Sequence, residues 1–195
     1  MCYNNLKPSK PEGRIFMKSH AKLLRMILAA LFLALAYTIP YLTGQIPEIG
    51  SMLCPMHLPI LFCGFLCGPW WGLSIGFIAP IFRSLMLGMP PLFPTALAMA
   101  FELAAYGFVA GYMHKLLPRK KPYVLCSLIT AMIVGRLVWG AAMLICLGIS
   151  GGSFTFSAFL AGAVINAVPG IAAQIILVPT IVILIDNPKI LNLRD

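Results

Sequence analysis

The chain has 195 residues, 61% of them hydrophobic and only 10% charged, with a mean hydropathy of +0.95. One water-soluble core of this size cannot hide so much apolar surface, so a soluble globular domain is excluded and an integral membrane protein is expected. The formal net charge of +9 would suit nucleic acid in a soluble domain, but in a membrane protein it follows from basic loops facing anionic lipid, and no nucleic-acid partner is expected.

The chain opens with Lys7, Lys10, Arg14, Lys18, Lys22 and Arg25. Residues 1–20 read as a basic cytoplasmic tail, too short to bury a core of its own, and residues 21–195 as the membrane domain. Ala34-Leu35-Ala36 superficially matches a signal-peptide cleavage site, but the basic region is long for a signal and the apolar stretch continues through Tyr37, Ile39 and Tyr41 to a length that spans. Ala30 and Ala34 put two small residues on one face of this first span, where another helix can approach closely.

Gly, Pro and charge then divide the chain into apolar runs at 21–42, 56–68, 70–88, 92–114, 123–148 and 156–186. The expected fold is all-α: a bundle of six transmembrane helices with both termini cytoplasmic. The second run is short, with Pro59 tolerated in its first turn, and Gly68-Pro69 and Trp70-Trp71 mark a tight hairpin at a membrane interface. Lys115, Arg119, Lys120 and Lys121 fill a central loop, and Lys189 and Arg194 lie near the end. With all these regions inside, the outside loops are 43–55, 88–94 and 148–155, which contain no Lys or Arg, and Glu48 is their one charge. Such loops can fold down as a lid.

Two basic residues, Arg83 and Arg136, lie within apolar runs, where an ionised side chain costs roughly 2.5–3.5 kcal/mol on insertion scales unless it is paired or lines a wet cavity. Counted inward from the outer ends at about 1.5 Å per residue, Arg83, Glu102, Asn166 and Arg136 come from four spans and share the outer half of the membrane. Two guanidiniums against one carboxylate leave one positive charge, which suits an anionic or zwitterionic ligand held by bidentate hydrogen bonds. Trp139 follows Arg136 by three residues on the same helical face, so its indole can flank whatever the guanidinium binds. His57 is expected to be a hydrogen-bonding residue of the outer loop or pocket. The bland alternatives are an Arg–Glu pair that locks helices together, with Arg83 reaching to the surface, and a Trp that packs on a neighbouring span.

Catalytic and metal chemistry find little support. Gly72-Leu73-Ser74-Ile75-Gly76 has the spacing of a nucleophile elbow, but it sits in a helical span where that motif needs a strand-to-helix turn. Cys54, His57, Cys63 and Cys67 do not follow a standard zinc spacing. The six cysteines are not arranged as a disulfide framework, though Cys54 and Cys146 could meet at the outer side. No phosphate-binding Gly-x-x-x-x-Gly-Lys-Ser/Thr loop is present, so energy must come from a gradient or another subunit, and no cofactor is expected.

After residue 20 the chain resembles the substrate-binding S component of an energy-coupling factor (ECF) vitamin transporter. The resemblance rests on the basic tail, six spans, Ala30-x-x-x-Ala34, the long first outside loop and the lack of a nucleotide-binding motif. Met56-His57-Leu58-Pro59 is similar to the His-x-Pro stretch of the branch containing riboflavin and pantothenate binders. The resemblance implies a six-helix bundle that binds a vitamin from outside and associates, through an Ala-rich face holding Ala30 and Ala34, with a transmembrane coupling subunit and two cytoplasmic ATPases. The Met1-Cys2 start lacks the Met-His ligand of the nickel and cobalt members. The net buried positive charge makes pantothenate the expected substrate, ahead of riboflavin or a pyrimidine precursor. The alternatives from other classes are a stand-alone ion-coupled secondary transporter titrating Glu102 and an assembly scaffold without a ligand.

Overall fold

The computed structural model describes residues 12–42, 55–118, 121–151, 155–165 and 167–185, and these are almost wholly helical. The helices are α1 (Glu12–Leu42), α2 (His57–Cys67), α3 (Pro69–Leu87), α4 (Leu97–Leu116), α5 (Lys121–Ile149), α6 (Phe156–Leu160) and α7 (Val168–Ile185). Helix is what a lipid-embedded chain requires, because each N–H and C=O is then satisfied within its own segment. Five stretches, Lys22–Pro40, Pro69–Leu87, Leu92–Leu116, Pro122–Ile149 and Val168–Ile185, are long and apolar enough to cross a membrane.

The boundaries follow local chemistry. Gly68 takes φ +101°, which a side chain disfavours, and Pro69 opens α3 in the first turn, where its missing N–H is not needed. Gly88 closes α3 in the left-handed region, its N–H bonded to the Ser84 carbonyl at 2.9 Å, while the Ser84 hydroxyl donates to the Pro90 carbonyl at 2.7 Å. A wide turn, Leu92–Ala96, leads into α4, and within it Phe93 is extended (φ −122°, ψ 134°), the conformation favoured in the residue before a proline.

Two spans differ from the expected pattern. With 11 residues α2 is about 16 Å long, roughly half of a bilayer core, and it is enclosed by α1, α3, α4 and α7, with most of its residues buried. It therefore reads as apolar all round, as a central helix must. The run expected as one span over 156–186 is broken: α6 passes into a wide turn, Ala161–Ile165, before α7 begins. Pro169 supplies the reason, since its ring would clash with the carbonyl of Ile165 in a continuous helix.

The core is built from backbone contact as much as from side chains. A Cβ added at Gly64 or Gly72 would come under 3.0 Å from the Gly107 carbonyl, one at Gly76 would meet the Leu103 carbonyl, and one at Gly111 would meet that of Gly64. Helices α2, α3 and α4 thus touch main chain to main chain, the approach that small residues permit when lipid offers no hydrophobic drive between helices. Around them Ile60, Leu61, Leu103, Tyr106, Leu128, Met132, Val178 and Val182 form a buried cluster. The bundle has one end at Gly68 and Leu117 and another at His57, Leu92 and Phe156; below, these are the inner and outer ends, following the expected basic-inside orientation.

Candidate functional site

Three of the residues singled out from sequence meet at the outer edge of that core. His57 starts α2 and Glu102 lies within the second turn of α4; they are 3% and 1% exposed. Ala98, Ala100 and Ala104 keep α4 thin around Glu102, so neighbouring helices close over it. Arg136 comes from the middle of α5 and places Nη1 2.9 Å from Glu102 Oε1, and His57 Nε2 is 3.3 Å from the same oxygen. One carboxylate is shared between a guanidinium and an imidazole, and this pairing lets two ionised groups stand at membrane depth.

A ring platform supports the cluster. Tyr106, one turn inward of Glu102 and fully buried, meets the His57 ring edge-on at 5.1 Å. Its own ring lies against Gly135, where a Cβ would sit 2.6 Å from it, so the residue before Arg136 must be small for the tyrosine to reach His57. In the neutral ring, Nε2–H donates to Glu102 and Nδ1 is left as an acceptor; Nδ1 is buried and has no hydrogen-bond partner among the described residues.

The other expected residues stand apart from the cluster or outside what is described. Trp139 stacks on Phe159 of α6 (centroids 6.2 Å), and Phe156 continues the stack; Gly140 and Gly162 give these rings their room. The stack lies one turn outward of Arg136 on α5. Arg83 is half-buried on α3 beside Phe82, which packs on Tyr37 of α1 at 5.8 Å. It makes no ion pair among the described residues, and Glu102 is held by Arg136 and His57 instead. Asn166 lies outside the described residues. Ala30 and Ala34 are exposed on α1, opposite buried Ala29, Phe32 and Ala36.

Two residues of this region carry weaker sequence signals. Tyr106 follows Glu102 by four residues, the spacing that brings side chains onto one face. Gln174 of α7 is fully buried, and an amide inside an apolar run is conspicuous once charge is no longer the only polar signal considered. The Gly72–Gly76 string proves to be packing: both glycines face α4, and the Ser74 hydroxyl donates to the Trp70 carbonyl at 3.0 Å within its own helix. Cys146 carries a free thiol, and Cys54 lies outside the described residues.

A family model described as the substrate-specific component of ECF transporters matches residues 24–182, from within α1 to the last turn of α7. The chain belongs to this family. As an ECF S component it is a multi-pass membrane protein and a transport subunit rather than an enzyme, and it works with an energising module. No curated protein and no solved structure is significantly similar to the chain. The whole His57–Glu102–Arg136 cluster falls inside the matched region of the S component.

Proposed function

We propose that this S component captures a small carboxylate-bearing micronutrient, with pantothenate as the type case, over the His57–Glu102–Arg136 cluster in the outer half of the bundle. The observation that carries the reading is the pairing of Arg136 with one oxygen of Glu102 while the arginine side chain keeps 14% exposure. A ligand carboxylate can share that guanidinium through the bidentate geometry arginine favours, and Arg83 adds a positive charge with no carboxylate partner among the described residues. Calorimetric titration tests this with pantothenate and its neutral alcohol analogue. The carboxylate form should bind about 30-fold tighter or more, as loss of a charge-assisted contact in a desolvated site implies. Equal affinities would sink the anionic reading. They would favour a neutral ligand such as riboflavin or a pyrimidine precursor, for which the mutual neutralisation of Arg136 and Glu102 already gives some support.

The exposed face of Ala30 and Ala34 supports a docking role towards the transmembrane coupling subunit, with the two cytoplasmic ATPases beyond it and the basic ends of the chain in the cytoplasm. Replacing both alanines with Trp should abolish uptake while changing pantothenate binding to the solitary protein by less than about three-fold, because the two sites share no contact. Uptake that persists in cells lacking a coupling subunit would instead mark a stand-alone carrier.

A further inference from the structure

We propose that Gln174 is a specificity residue whose carboxamide reads an amide or imide edge of the substrate. The inference rests on the preceding reading that the outer polar layer is the substrate site, and it adds a second requirement to the ligand's chemistry.

The buried stripe of α7 runs Gly170, Gln174, Val178, Val182, one residue per turn, and α7 packs on α2 and α5. Val178 and Val182 belong to the apolar cluster that also holds Ile60, Leu61 and Met132. Gln174 stands one turn outward of Val178, as His57 stands one turn outward of Ile60 and Leu61, and Arg136 one turn outward of Met132. Counted from the outer ends, Gln174 lies in the second turn of α7 as Glu102 lies in the second turn of α4, which puts both in the outer half of the bundle.

Gln174 has no exposed surface, yet neither its amide oxygen nor its amide nitrogen has a hydrogen-bond partner among the described residues, and His57 Nδ1 shares that condition. Burying a carboxamide with all its hydrogen-bonding positions empty is unfavourable, and a protein wrapped in lipid has no bulk water to relieve it. A leucine of similar volume would suit an apolar helix contact better. The group is explained if a ligand supplies the missing partners, with α7 parting from α2 and α5 to admit it. The wide turn Ala161–Ile165 that interrupts the helix, and the stacked rings that hold α6 to α5, give that segment a separate attachment.

The chemistry of the partner follows from the amide itself. A carboxamide offers a donor and an acceptor in one plane, so its complement supplies both an N–H and a C=O on one edge, as an imide does, or one of the two, as a trans secondary amide does. A carboxylate alone offers only acceptors and would leave the Gln174 oxygen empty. The substrate therefore carries an amide or imide group in addition to whatever meets Arg136, and His57 Nδ1 is placed to accept a further N–H or O–H.

Two measurements on the purified protein test this. The first is the melting temperature of ligand-free wild type and Gln174→Leu. The leucine variant should melt at or above wild type, and a fall of more than about 3 °C would show an amide that holds the fold and would overturn the proposal. The second is calorimetry with two matched pairs: pantothenate against its analogue with an ester oxygen in place of the amide N–H, and riboflavin against its N3-methyl derivative. Wild type should prefer the N–H member of one pair by about ten-fold or more, and Gln174→Leu should bring that ratio within about two-fold. Pantothenate bound with Gln174-dependent discrimination supports both proposals. Gln174-dependent discrimination in the riboflavin pair with no binding of pantothenate keeps Gln174 and removes the carboxylate reading. Pantothenate bound without amide–ester discrimination keeps the carboxylate reading and overturns the role of Gln174, and absence of discrimination in both pairs overturns it as well.

Discussion

Replacing Arg136 with Leu should weaken pantothenate binding by about 30- to 1,000-fold, since a bidentate contact in a desolvated site contributes on the order of 2–4 kcal/mol. The same change deprives Glu102 of its 2.9 Å partner, leaving His57 at 3.3 Å as its remaining support. Removing one member of a buried ion pair costs about 3–5 kcal/mol, whereas replacing both members with apolar residues is often neutral. The double variant Arg136→Leu/Glu102→Leu therefore separates the two roles. If the pair only fastens α4 to α5, the double variant regains the melting temperature lost by the single one and binds pantothenate like wild type. If the guanidinium meets the ligand, the double variant recovers its stability and still binds about 30-fold or more weakly. A stable double variant with normal affinity would remove the cluster from the binding site.

Gly107→Val should prevent recovery of a folded, monodisperse protein. The added side chain would point into the carbonyl of Gly72, with Gly64 of α2 close on another side. Overpacking in a core usually costs about 1–3 kcal/mol because side chains rotate away, but here the obstacle is main chain and the helices themselves must separate, so about 3 kcal/mol or more is expected. Gly148→Ala is the control, because nothing lies within 4 Å of a Cβ there and a helical Gly→Ala change is mildly favourable. Size-exclusion profiles and melting curves in one detergent make the comparison. A Gly107→Val protein that melts with the wild type would mean that α3 and α4 have room to spare.

Much of the frame is legible in the sequence because each signal is local. Apolar runs give the spans, Gly68-Pro69 gives the hairpin, and the shortness of the second run already marks α2. The glycines carry their own signature in the pairs Gly72–Gly76 and Gly107–Gly111, whose four-residue spacing is that of close helix approach. The site is only half legible, since counting along a helix gives depth but not which neighbour a side chain faces. Arg83, Glu102 and Arg136 all fall in the outer half by that count, and only packing decides that Glu102 pairs with Arg136 and His57. The break before α7 is signalled by Pro169 but masked by the apolar run around it. Gln174 is masked by having no charge, although a buried amide needs partners as surely as an ion does.

The backbone contacts among α2, α3 and α4 also divide the labour of the molecule. Those three helices cannot slide without main-chain collisions, whereas α7 meets its neighbours through Gln174, Val178 and Val182, and α6 holds to α5 by stacked rings. If Gln174 meets the substrate as proposed, variation in the last two helices alters that contact while α2, α3 and α4 keep their shape. A graft of residues 156–185 from a paralogue with another cargo should transplant selectivity without rebuilding the rest, which makes the C-terminal quarter of the chain the economical place to re-engineer this importer.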